Sequence, residues 1–108
     1  MKHNPDIEAK VDKRAIIDFF INKYGHIDLI ACGRSMLPTI NDGDHIRIYP
    51  QEKYKEDDIV AFWNANNKIV VHRIILLKND SCITKGDNSL DIDGDIPLQN
   101  IIGTVIST

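Results

Sequence analysis

From Asp6 to Tyr24 the apolar residues Ile7, Val11, Ala15, Ile16, Phe19 and Phe20 recur at helical spacing, with charged residues between them. The pattern predicts an amphipathic helix of about five turns, with Pro5 before it and Gly25 after it as breaker and C-terminal cap. Beyond Gly25 the texture changes to short runs rich in Ile and Val, broken by Gly, Pro, Asn and Asp, which predicts a mainly β remainder. Strands are expected over 27–32, 45–49, 58–63, 68–77, 81–84 and 101–106. Turns are expected at 41–44, 64–67 and 78–80, and the long polar stretch 86–97 reads as a loop. The turn at 64–67 predicts a hairpin, and strand alternation then puts Val70, His72 and Ile74 on one face, with Val71, Arg73 and Ile75 on the other.

A chain of 108 residues, 43% of them hydrophobic, supports one packed domain, with the helix in residues 1–25 and a β-rich core in 26–108. No apolar run approaches the roughly 18 residues of a spanning helix, and the first dozen residues lack the apolar stretch of a secretory signal. The chain therefore reads as cytoplasmic, with no membrane association indicated. Lys and Arg number 13 against 16 Asp and Glu and are dispersed among them, so there is no basic stripe for nucleic acid. Cys32 and Cys82 lack CxxC spacing and read as free, buried thiols, and neither a metal nor a cofactor is implied. Phe62 and Trp63 are expected to pack in the core or line a groove. His3, His26 and His45 are expected to be exposed, and Arg34 and Arg73 either solvated or paired with loop aspartates. A monomer is expected, because no apolar stripe is left over.

Three segments carry side chains that chemistry can use: Gly33 to Thr39, Val70 to Ile74, and Thr84 to Asn88 with Asp91 and Asp93 behind it. A serine hydroxyl is a poor nucleophile at neutral pH, so hydrolysis needs a base within hydrogen-bond reach and a third group that fixes the base. Ser35 follows a predicted strand, His72 lies within one, and Asp87, Asp91, Asp93 and Asp95 crowd the polar stretch after it. Each has a plainer reading: a turn serine, a core histidine satisfied by a hydrogen bond, a solvated acidic loop. The acidic stretch also resembles a calcium loop in its alternating oxygens, but lacks the closing Glu and flanking helices.

Taken together, the segments resemble the signal peptidase I family, serine peptidases whose β-rich fold is shared with the self-cleaving LexA-type repressors. Ser35-Met36-Leu37-Pro38-Thr39 resembles the family's nucleophile box, and the likeness continues through Asp42-Gly43-Asp44 and Asp57 to Phe62, where Asp57 stands in place of a glycine. It extends over Val71 to Ile74, Thr84 to Asn88 and Ile101 to Val105. The family's usual bacterial branch carries lysine as general base, whereas the endoplasmic-reticulum and archaeal branch carries histidine. The resemblance therefore implies Ser35 as nucleophile, His72 as general base and Asp93 as orienting acid, with Asp87 supporting the site and Asp91 as the alternative acid. It also implies that Met36, Leu37 and Pro38 contact a peptide or protein precursor cleaved after a small residue, as in removal of a leader. Members of this branch normally carry a transmembrane helix just before the nucleophile box, where this chain has its amphipathic helix. Two other functions stay open at this level: a non-catalytic module that grips an extended peptide, and self-cleavage, for which the stretch before Asp6 is the one flexible candidate.

Overall fold

The structure is a computed structural model and describes residues 11–108. Its helix, α1, spans Lys13–Tyr24. The expected start at Asp6 is corrected: Val11 and Asp12 are not helical, and 6–10 lie outside the described residues. The Asp12 carboxylate caps the first turn, accepting from the backbone N–H groups of Arg14 (3.0 Å) and Ala15 (3.2 Å). At the other end Gly25, at φ 81°, donates its N–H to Ile21 O at 2.7 Å, the left-handed cap expected of a glycine there.

Seven strands follow: β1 (Ile27–Ile30), β2 (His45–Tyr49), β3 (Ile59–Trp63), β4 (Ile69–Leu77), β5 (Ser81–Lys85), β6 (Ile92–Pro97) and β7 (Ile101–Ser107). They form one antiparallel sheet in the order β1-β2-β7-β3-β4-β5-β6, so the chain is mainly β as its pattern predicts. The expected strand 27–32 ends two residues early, at Ile30: Ala31 still donates its N–H to Asp44 O (2.9 Å), but Asp44 N–H bonds Asn41 O (3.0 Å) and Ala31 O accepts from Gly43 (2.8 Å), so the ladder gives way to a turn. β6 is a further correction, since 86–97 reads as a loop in the sequence. Its two carboxylates and its glycine hide the alternation of Ile92 and Ile96, and such polar composition suits a strand at a sheet edge.

Burial explains the register. Ala61 and Trp63 of β3 enter a core shared with Ile17, Ile46, Ile48 and Val105, while Val60 and Phe62 enter a second core with Ile74 and Cys82. Both faces of β3 are thus covered, which is why 59–63 is apolar without alternation. Each large side chain sealed in this way contributes about 1.5–3 kcal/mol. On β4, Val70 and Ile74 pack on the second core, and Ile69 and Val71 on the first, as the alternation predicts.

The helix departs from expectation in its packing. Only Ile17 is buried, and Ile16, Phe19, Phe20 and Tyr24 remain exposed, so an apolar stripe is left over after all. Cys82 is buried but Cys32 is exposed, and His26 is half-buried rather than exposed. No helix among the described residues is long and apolar enough to cross a membrane.

Candidate active site

Ser35 is presented by the turn that follows β1. Gly33, at φ 97°, lets the chain reverse there, and its N–H donates to Asp42 Oδ1 at 2.8 Å. Met36 and Ile40, 4% and 5% exposed, plug the turn into the first core, and the N–H of Ile40 closes onto Met36 O at 2.9 Å. Ser35 is left exposed on an anchored loop.

His72 sits on β4 opposite Val60, its ring edge-on to Phe62 at 6.3 Å between centroids. Its side chain is 12% exposed, so both ring nitrogens need partners, and both have them. Nε2 lies 3.1 Å from Ser35 Oγ, and Nδ1 lies 2.6 Å from Asp93 Oδ2. A carboxylate at Nδ1 holds the proton on that nitrogen and leaves Nε2 to accept the serine hydroxyl. Thr84, fully buried on β5, donates its Oγ1–H to the same Asp93 oxygen at 2.6 Å.

The other acids have different duties. Asp87 does not reach His72; it takes a fork of bonds from Arg73 Nε (2.8 Å) and Nη2 (2.7 Å), and a third from Thr39 Oγ1 (2.6 Å). Arg73's hydrogen bonds, seconded by Thr39 against the opposing effect of burial, push the Asp87 carboxyl down to about 2. Asp91 is exposed on the connecting loop, and the bond to His72 comes from Asp93 instead. Asp95 pairs at the surface with Lys78 at 2.8 Å. Among the described residues no group of three or more His, Cys, Asp or Glu is clustered to hold a metal ion.

The stretch after β5 braces the serine turn. Asn88 donates its N–H to Ser35 O at 2.8 Å and its Nδ2 to Arg34 O at 3.1 Å. Gly86 approaches so closely that a Cβ there would lie 2.6 Å from Ser35 O and 3.1 Å from His72 Nε2. Sequence reasoning gave Thr39, Thr84, Gly86 and Asn88 no roles. The signal was nonetheless present in Thr84, a hydroxyl at a position whose neighbour in phase, Cys82, is fully buried.

A cavity of about 470 Å³ opens beside Ser35 and His72. One wall is the segment 29–33 and the other is 69–71 of β4. β1 pairs only with β2, and the first half of β4 only with β3, because β5 joins β4 from Arg73 onward. Two strand edges without a second strand among the described residues therefore flank the cavity. Of the three residues expected to contact substrate, Met36 forms part of the cavity lining, while Leu37 and Pro38 do not.

The model of the Peptidase S24-like family matches residues 6–106 of this sequence. No curated protein and no solved structure matches it.

Proposed function

Because the chain belongs to the Peptidase S24-like family, we propose that it is a small serine endopeptidase of the signal peptidase type, using the histidine variant of that chemistry. Residues 1–108 act as one peptidase unit, helix and β core together. The observation that carries this reading is the continuous relay from Ser35 Oγ to His72 Nε2 (3.1 Å) and from His72 Nδ1 to Asp93 Oδ2 (2.6 Å).

In the proposed reaction His72 Nε2 takes the hydroxyl proton as Ser35 Oγ bonds to the scissile carbonyl carbon. The backbone N–H of Ser35 holds the resulting oxyanion. The imidazolium, steadied by the Asp93 carboxylate, then gives its proton to the leaving amine as the C–N bond breaks. Water, deprotonated by the same imidazole, releases the acyl group and restores the serine. The substrate is an extended leader or propeptide that pairs with the free edges of β1 and β4 and places a small side chain before the cleaved bond, where buried Met36 and Ile40 floor the cavity.

The 3.1 Å approach of Ser35 to His72 favours catalysis over a module that only grips peptides, which would not need the pair in contact. The test is a library of peptides carrying Ala, Gly or Ser at alternate positions, incubated with the parent and with Ser35→Ala and read by mass spectrometry. New termini after small residues are expected from the parent, with at least about 1,000-fold slower cleavage by the variant. Equal cleavage by both, or binding of peptides with no cleavage by the parent, contradicts the reading.

A further inference from the structure

The geometry assigns Thr84 as a positioning residue: its hydroxyl aims the Asp93 carboxylate at His72. The inference rests on the catalytic reading above and deepens it.

Along β5 the buried residues Cys82 and Thr84 alternate with the half-buried Ser81, Ile83 and Lys85. Thr84 is 0% exposed and lies opposite Ile74, itself in the second core. Valine, of nearly the same shape, would satisfy that packing, and a hydroxyl in such a place costs stability unless it is hydrogen-bonded. The Thr84 bond goes to Asp93 Oδ2, the oxygen that His72 Nδ1 also uses, at 2.6 Å in each case.

Asp93 needs the restraint because of where it stands. β6 is the last strand of the sheet, bonded only to β5. Its register slips there: Ile83 partners Asp95 and Lys85 partners Ile92, which leaves Thr84 opposite both Asp93 and Gly94. The extra residue is an edge bulge, a device that re-aims a side chain while loosening the ladder around it. Backbone pairing alone therefore sets the carboxylate poorly. Two donors converging on one oxygen, one from a buried strand and one from the imidazole, set its rotation.

The test uses the full chain and a peptide that the parent cleaves, with Thr84→Val, Thr84→Ala and Thr84→Ser compared for kcat and KM. The His72 Nδ1–H resonance is followed by NMR in the same proteins. Thr84→Val is expected to lower kcat about 10- to 100-fold with KM within about two-fold of the parent, and Thr84→Ser to restore it to within about three-fold. The resonance should shift or broaden in the Val variant and return in the Ser variant. In an Asp93→Ala background, Thr84→Val should add no further loss. Thr84→Ala replaces the Val variant if circular dichroism shows that one unfolded. Parental kcat with an unmoved resonance overturns the assignment, as does a loss that Ser fails to rescue or that persists without Asp93. If the parent cleaves no peptide, the catalytic reading fails on its own account, and the resonance still decides the role of Thr84.

Discussion

Asp93 and Asp87 lie six positions apart in one acidic stretch, and their surroundings give them opposite work. Asp93 faces a histidine, whose charge can change during a reaction, and a neutral hydroxyl. Asp87 faces a permanent guanidinium and so is tied to structure. Its carboxyl drops from the ordinary 3.8 to about 2, chiefly through Arg73. A carboxylate depressed on folding stabilises the fold above its unfolded pKa and loses that contribution as pH falls toward the folded value. At 18% side-chain exposure the contribution is about 2 kcal/mol, present at pH 6, about half lost at pH 3 and largely gone at about pH 2. Urea unfolding at pH 6, 4 and 3 should show the parent keeping this increment at pH 4 and losing about half of it by pH 3, with Asp87→Asn, already less stable at pH 6, showing a flatter dependence. Parallel curves would refute the assignment.

At the scale of the element, the stretch entering β3 shows what a single backbone angle demands. Asp57 sits at φ 75°, where a glycine is at ease, and the resemblance of this stretch to a Gly-Asp-Ile-Val entry puts a glycine at that same position. The left-handed turn is held from both sides: Asp57 N–H donates to Ile74 O at 2.8 Å, and Arg73 Nη1 donates to Asp57 O at 2.9 Å. Asp57→Gly keeps both bonds and removes the strain, so it should stabilise the protein by about 0.5–1 kcal/mol. Thermal denaturation would register this as a rise of several degrees, and a fall in Tm would show that the aspartate side chain matters more than the angle.

The elements differ in how far the sequence disclosed them, and burial accounts for the difference. β2 and β4 alternate or run apolar because the two cores claim them, and their positions were legible within a residue. β6 was not, because a strand bonded on one side can be built from aspartates and a glycine. The helix was read from a period that continues beyond Asp12, whereas its boundary follows from a capping bond that periodicity does not register. Its exposed Ile16, Phe19 and Phe20 show that amphipathic spacing does not guarantee that the apolar face is covered.

For the molecule as a whole, the sheet order explains why three distant segments meet. β7, last in sequence, inserts between β2 and β3, so β1 and β2 with the serine turn join the meander that carries His72 and Asp93. No local pattern announces that insertion, because it depends on pairings between strands far apart in the chain. The residue types at the site were legible through their motif, whereas the partners that hold them, Thr39, Thr84 and Asn88, depend on long-range contacts. Catalysis as proposed runs through Ser35 Oγ, and the exposed Cys32, on the same cavity wall, is its natural rival. The most direct measurement is intact-protein mass spectrometry after rapid mixing with a peptide ester ending in a small residue, followed by mapping of the adduct. A transient mass gain equal to the acyl fragment is expected, located on Ser35 and absent from Ser35→Ala. An adduct on Cys32, or ester turnover undiminished in Ser35→Ala, would contradict it.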